Sequence, residues 1–277
     1  MRPMAESDFD FALDLANQEH WEYDLVDLER LFRLFPGGSL VAEHFGAKAG
    51  WVLVSSYGSL AWIGSLVVQA DLRGKGVGAA LLNRAVGYAR ERGARTVGLY
   101  SYSQSVGFYE KMGFTRDCDF EHIEGVRREH LPKASVQRPK DLDEVAKFDS
   151  RYFRGNRRRL LEALHREFLD LFISQREADV LGYIAGKSFT NEAAEIGPWV
   201  CDVKHVEVAE QLFASELNQL PSKRVSLTIP SQNTEVHRIV REYGFRVKQK
   251  VVRMFLGSVT DLPLVDGVYA AAGLDVG

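Results

Sequence analysis

The 277-residue sequence predicts an α/β protein with a mixed sheet (an α+β mixture), laid out as two successive domains of similar pattern. Three observations carry that prediction. An apolar run over residues 63–68 leads into the glycine-rich stretch Arg73-Gly74-Lys75-Gly76-Val77-Gly78 and then into a segment with helical apolar spacing from Val77 onward, the pattern of a strand, a turn and a helix. Short alternating runs on either side read as further strands. Finally, Arg138-Pro139 and Asp141-Leu142-Asp143-Glu144-Val145-Ala146 repeat the character of Arg2-Pro3 and Asp8-Phe9-Asp10-Phe11-Ala12, and Tyr243-Gly244-Phe245 repeats Met112-Gly113-Phe114. The shift is roughly 130 residues, the mark of a duplicated domain rather than of a short stacking repeat. The expected division is 1–131 and 138–277, with 132–137 as linker.

In chain order, residues 1–4 read as a short strand, and Ser7 or Asp8 can cap a helix with Phe11, Leu15 and Ala16 on its apolar face. A second helix is expected over 24–35, its inner face Leu25, Leu28, Leu31, Phe32 and Phe35, stopped by Pro36-Gly37-Gly38. Residues 40–45 and 50–57 alternate like antiparallel strands, with 62–68 as the fourth strand. Val77 opens a helix to Glu91, with Leu81, Leu82, Ala85, Val86 and Ala89 at helical spacing, and Gly93 suits its left-handed end. Residues 96–100 are the fifth strand. Beyond the repeat boundary, 180–187, 194–200 and 224–229 read as strands. Arg151, Arg154, Arg157, Arg158 and Arg159 precede a helix bearing Leu160, Leu161, Leu164, Phe168 and Phe172. Such arginines are expected to be solvated or paired, with Glu162, Glu167 and Asp170 at hand.

Composition narrows the function. A net charge of −3 gives no global reason to expect nucleic acid, so small molecules are the expected partners. Two cysteines, Cys118 and Cys201, do not make a disulfide framework and read as buried thiols; without C-x-x-C or H-E-x-x-H clusters no metal is expected. Residues 1–10 carry three acids and no apolar core, which argues against a secretory signal and for the cytoplasm. The longest nearly apolar run, 60–68, falls far short of the ~20 residues of a membrane helix.

The glycine stretch is where the chemistry concentrates. The first N–H groups of a helix lack internal acceptors and sit at the positive end of its dipole, so a strand–glycine–helix junction is a place to hold phosphate. A nucleoside-triphosphate loop needs Gly-Lys-Ser/Thr, and Gly78-Ala79-Ala80 supplies neither Lys nor hydroxyl. Residues 74–79 formally fit the dinucleotide pattern, but the strand at 96–100 runs into Ser101-Tyr102-Ser103 without the ribose-binding acid. The third reading is a pyrophosphate loop of the form R/Q-x-x-G-x-G/A: in Arg73, Gly76 and Gly78 the sequence resembles the Gcn5-related N-acetyltransferase (GNAT) family. Phe108-Tyr109-Glu110-Lys111-Met112-Gly113-Phe114 is similar to that family's segment on the helix after the fifth strand.

The resemblance implies an acyl-CoA-dependent N-acyltransferase with acetyl-CoA as donor substrate. Its pyrophosphate would meet the turn Arg73, Gly74, Lys75, Gly76, Val77 and Gly78. Pantetheine would lie between diverging fourth and fifth strands, and N–H groups near Leu66, Val67 and Val68 would steady the oxyanion. Tyr109 holds the family position that protonates the leaving thiolate, a task suited to a phenol that keeps its proton at neutral pH. Seven residues earlier the family often has Asn, and this chain has Tyr102, which makes Ser103 or Ser105 candidate substitutes in cofactor contact. His20, Trp21 and Glu22 lie where family members admit the acceptor, and Glu43, Glu19 and His20 are the candidate bases.

The second half departs from the pattern. Cys201-Asp202-Val203-Lys204-His205 stands where the phosphate loop should be, without glycine and with an acid, and Val240 replaces the tyrosine. The resemblance there is to the degenerate C-terminal domain of tandem members, expected to bind no cofactor and to shape the acceptor side. The function expected is acetyl transfer to the primary amine of a small molecule by direct attack. Two alternatives stay open: an acyl-CoA sensor without turnover, and an aminoacyl transferase using charged tRNA, for which only the arginines at 151–159 hint at a basic groove.

Overall fold

The first half of the chain forms β1 (Arg2–Pro3), α1 (Phe9–Gln18), α2 (Leu25–Leu34), β2 (Ser39–His44), β3 (Ala47–Tyr57), β4 (Leu60–Val68), α3 (Val77–Glu91), β5 (Thr96–Tyr102), α4 (Val106–Lys111) and β6 (Thr115–Val126) in a computed structural model. The second forms α5 (Leu142–Phe153), α6 (Arg158–Phe168), β7 (Phe172–Arg176), β8 (Asp179–Ser188), β9 (Ala193–Cys201), α7 (Val206–Gln219), β10 (Arg224–Pro230), α8 (Thr234–Glu242), β11 (Arg246–Gly257) and β12 (Val268–Ala270). The structure describes residues 1–21, 23–127, 136–168, 172–176, 179–189, 192–258, 260 and 262–277. Glu22, Asp170 and residues 132–135 of the expected linker lie outside that set.

Local chemistry starts the elements where the sequence suggests. Asp24 accepts the N–H of Asp27 at 2.8 Å and so caps α2, which ends just ahead of Pro36. Asp8 behaves differently from the expected helix cap. Its buried carboxylate accepts the N–H of Ala5 at 2.9 Å and the guanidinium of Arg2 at 2.6 and 3.0 Å, with Lys48 at 2.8 Å. The arginine cluster also divides. Arg158 pairs with Asp143 and Glu162, whereas Arg157 is buried on Asp149 at 2.6 and 3.1 Å, and Glu167 serves Arg30 and Arg33 instead. Of the two thiols, Cys201 is buried and Cys118 only partly so.

Strand alternation separates two faces of one sheet. On β3, Trp51 and Leu53 point into a core shared by α1, α2, α5 and α6, while Val52 and Val54 join a second core under α3. On β8, Tyr183 and Ala185 belong to the shared core and Ile184 to a third, with α7 and α8. The two halves are therefore continuous on one face.

Their sheets are continuous as well. The strand order is β1-β2-β3-β4-β5-β11-β6-β10-β9-β8-β7, with β12 paired to β9. In the first half β5 is followed not by β6 but by β11, antiparallel from Tyr102↔Val251 to Thr96↔Gly257. In the second, β10 is followed by β6, from Arg224↔Val126 to Pro230↔Phe120. Each half thus lends its last long strand to the other, and β6 and β11 pair at the centre.

Candidate active site

The glycine turn closes on its own strand: Arg73 Nε donates to the carbonyl of Val68 at 3.0 Å, and a second guanidinium nitrogen pairs with Glu19. Gly76 is the residue before α3 and is left-handed (φ 84°, ψ −5°), a conformation that strains any residue with a Cβ. A Cβ built there meets no atom within 4 Å, so the reason for glycine is backbone conformation and open approach rather than local crowding. The first turn of α3 carries no acid, which leaves its N–H groups suited to an anion.

From this turn the cleft runs inward between β4 and β5. The two are parallel neighbours only from Leu60↔Thr96 to Ile63↔Leu99. Beyond that point Tyr100, Ser101 and Tyr102 pair with β11, while Val67 and Val68 stay with Trp51 and Gly50 of β3. Between Gly64 and Val67 the β3 register advances by one residue fewer than β4, and Ser65 has φ 52°: a bulge that turns β4 away from β5. The cleft that results has a volume of about 510 Å³. Leu66, Val67 and Val68 form one wall; Tyr102, Ser105, Phe108 and Tyr109 stand on the other, with Arg73 and Gly78 at the end nearest the glycine turn.

Tyr109 packs edge-on against Phe108 (5.0 Å between centroids) and Phe114 (6.0 Å). Its hydroxyl has no hydrogen-bond partner among the described residues, and burial pushes its pKa up to about 12, which keeps it a neutral donor. Ser103 is exposed, its hydroxyl 3.4 Å from the carbonyl of Lys250, and does not line the cleft; Ser105 does. Gly74, Lys75, Gly76 and Val77, between Arg73 and Gly78, are not themselves among the residues that line the cleft.

The candidate bases fall in three different places. Glu43 lies on β2, paired with Arg2 at 2.8 Å, and is not part of the cleft wall. Glu19 lines the cleft but is held by Arg73. His20 is exposed at the cleft mouth, with φ 59°.

The inner end of the cleft is built by residues that sequence reasoning passed over. Lys187 of β8 is 7% exposed and reaches Glu195 of β9 at 2.9 Å and Asp27 of α2 at 3.9 Å. Tyr23 donates to Asp275 at 2.7 Å and lies 2.7 Å from the Ser65 hydroxyl. Burial, reinforced by the Asp275 charge, holds the Tyr23 phenol well above its ordinary pKa. A lysine inside the apolar run of β8 is a readable signal; Asp275, in a stretch without periodicity, has none. Among the described residues no group of three or more His, Cys, Asp or Glu is placed to hold a metal, and no helix is long and apolar enough to cross a membrane.

In the second half the counterpart positions are built differently. Asp202 accepts the N–H of Lys204 at 2.9 Å in the turn before α7, and Val240 is buried on α8. Asn233 caps α8, accepting the N–H groups of Glu235 and Val236, both at 3.1 Å.

Comparison with known proteins agrees with this fold. The family model of the acetyltransferase (GNAT) family matches residues 4–114, and that of an acetyltransferase (GNAT) domain matches residues 145–264. An uncharacterized N-acetyltransferase of Methanocaldococcus jannaschii is 37% identical over 87 residues, a stretch that spans 28% of this chain and 38% of that protein. The crystal structure of a candidate acetyltransferase from Pyrococcus horikoshii superposes with a TM-score of 0.82 at 22% identity, over 100% of this chain and 95% of that one. A tandem GNAT protein from the clavulanic acid biosynthesis pathway has a TM-score of 0.62 at 16% identity, over 92% of this chain and 97% of its own. At these identities the two structures speak to the fold.

Proposed function

We propose that this chain, which belongs to the GNAT acetyltransferase family as a tandem pair of its domains, moves an acetyl group from acetyl-CoA to the primary amine of a small molecule by direct attack. Family membership supports acyl transfer in general. The observation that carries the finer reading is the path itself, from a glycine-preceded helix start, along the β4–β5 divergence, to the Tyr109 hydroxyl.

Each part has work to do along that path. The N–H groups at the start of α3 meet the pyrophosphate, with Arg73 and Lys75 adding positive charge. Main-chain N–H groups of Leu66 to Val68 steady the oxyanion formed when the amine attacks the thioester carbon. As the C–S bond breaks, Tyr109 gives its proton to the sulfur. A volume of about 510 Å³ suits a small ligand, and Asp27, Glu195 and Asp275 outnumber Lys187 at the inner end, which favours a cationic acceptor.

The test is thiol release from acetyl-CoA against a panel of amino acids, polyamines, aminosugars and peptides, beside a binding titration. Product with at least one amine is expected. Tight acetyl-CoA binding with no product from any of them would turn the reading into that of a sensor, and no binding at all would overturn it.

A further inference from the structure

The mechanism leaves one requirement unmet: an amine that is protonated at neutral pH must lose a proton before it can attack, and the turn, the strands and Tyr109 offer no acceptor for it. The inner wall of the cleft does. Tyr23 has a single hydroxyl proton, and it is donated to Asp275 Oδ2 at 2.7 Å. The 2.7 Å contact between Tyr23 and Ser65 therefore has Ser65 as donor. The two bonds form a directed chain, Ser65 to Tyr23 to Asp275, whose open end is a half-buried hydroxyl on the β4 bulge, next to Leu66 and Val67 in the cleft wall.

Asp275 is held there mainly by β3 and β4 of the first half, with one further contact from Arg157. The segment 274–277 lies against β4, where its main chain occupies the space of a missing side chain: a Cβ on Gly64 would sit 2.4 Å from the Asp275 Cα. Trp62 Nε1 donates to the Leu274 carbonyl at 3.3 Å, Tyr57 to the Val276 carbonyl at 2.8 Å, and the buried Arg157 to the Gly277 oxygen at 2.5 Å. Asp275 itself is 7% exposed. The charged and titratable groups around it are Tyr23, Glu195, Lys187, Asp27, and Tyr57 with Arg157. Lys187 is committed to Glu195 and Asp27, and Arg157 to Asp149, so no cation pairs with Asp275 among the described residues.

We propose that Asp275 is the proton acceptor for the acyl-acceptor amine, reached from the cleft through the hydroxyls of Ser65 and Tyr23. The amine N–H proton passes to Ser65 Oγ as the Ser65 proton moves to Tyr23 Oη and the Tyr23 proton to Asp275 Oδ2. The new C–N bond forms at the thioester carbon, the C–S bond breaks, and Tyr109 protonates the sulfur; the nitrogen's second proton is lost to solvent and Tyr109 takes one back, so that the net release is the single proton that leaves Asp275 for solvent. Ser65 touches the amine and is the catalytic member, while Tyr23 and Asp275 act through it. This rests on the acyltransferase reading above.

The deciding experiment is the pH dependence of kcat/KM for the fastest amine of the panel, in the wild type and in Ser65→Ala, Tyr23→Phe and Asp275→Asn. With the relay cut, only amine already neutral in solution reacts. Each variant should lose about 10²–10⁴ near pH 7, and the loss should shrink about tenfold per pH unit toward the amine's own pKa, near 10 for an aliphatic amine. Acetyl-CoA affinity should stay at the wild-type value. A loss constant across pH would mean a packing role and would overturn the relay, as would unchanged rates in Tyr23→Phe, which keeps the ring in place. Should Asp275→Asn lose its fold, the other two substitutions interrupt the same chain and decide the question. An active wild type with unaffected variants defeats the relay alone, whereas a wild type inactive on every amine defeats the transferase reading as well.

Discussion

Replacing Tyr109 by Phe removes one hydroxyl and keeps the edge-on packing against Phe108 and Phe114. A turnover loss of about 10²–10⁴ with acetyl-CoA affinity preserved is therefore expected, measured where chemistry limits the rate; an unchanged turnover number would remove Tyr109 from the mechanism. Gly76→Asp adds a negative charge at the start of α3 and a Cβ in the left-handed region, a strain of about 1–2 kcal/mol that the fold can absorb. Calorimetry should find acetyl-CoA binding abolished in a folded protein. Asp8 makes a stability prediction with a definite sign. Arg2, with the Ala5 N–H and Lys48, holds its carboxyl well below the usual range despite burial. That stabilisation is fully present above the unfolded value of about 3.9 and fades as pH falls through it toward the lower folded value. Asp8→Asn should cost about 1–3 kcal/mol at pH 7, and the gap in denaturant midpoint between it and the wild type should narrow below about pH 4; a gap that does not move with pH would exclude the ion pair as its source. At this scale the residues legible in the sequence are those whose chemistry is local: Arg73, Gly76 and Gly78 beside a strand, and Tyr109 in its motif. Tyr23, Ser65 and Asp275 come from three separate stretches and meet only through the fold, so no window of sequence contains their relation.

Elements were legible where periodicity is strong and illegible where charge breaks it. The helix expected from Val77 to Glu91 has those ends in the structure, because Gly76 starts it and the left-handed Gly93 follows its last turn. β6 escapes a reading by pattern, since Arg116, Asp117, Asp119, Glu121 and Glu124 crowd a strand whose buried members are Phe120 and Ile123. Its charges are tolerated through partners on β11 and beyond: Asp117 meets Arg253 at 2.7 Å and Glu124 meets Lys248 at 3.2 Å. The exchange of β6 and β11 was equally hidden, because hydrophobic pattern specifies that a strand is half-buried without saying which sheet edge receives it. It has a consequence for dissection. A fragment ending near residue 131 looks self-sufficient in sequence, yet it would leave β6 without both of its strand neighbours, β10 and β11, and β5 without β11. Scanning calorimetry of the intact chain should accordingly give one cooperative transition, and the isolated fragment should bind no acetyl-CoA. Two well-separated transitions, or a fragment that binds like the whole chain, would show that the shared strands couple the halves only weakly.

At the scale of the whole molecule the two halves repeat one design and use it differently. β9 and β10 are parallel only from Ala193↔Arg224 to Glu195↔Ser226 and then diverge, as β4 and β5 do. In the first half that divergence opens a cleft. In the second it is filled by the chain itself: β12 pairs with β9 at Val268↔Val200 and Ala270↔Trp199, and the Ala271 N–H reaches across to the Thr228 carbonyl of β10 at 2.9 Å. Main-chain groups that a pantetheine arm would need are thus already bonded. The turn before α7 adds a second obstacle, because Asp202 and Glu207 set negative charge at the helix end where an anion would have to sit. The same segment, on leaving β10, carries Asp275 to the bulge of β4, so the filling of one divergence and the lining of the other are two ends of one stretch of chain. Isothermal titration should therefore give one acetyl-CoA per chain, with Gly76→Asp abolishing all of it and Asp202→Gly restoring none. A second site of comparable affinity, or binding that survives Gly76→Asp, would mean that the filled divergence opens in solution and that the division of labour between the halves is wrong.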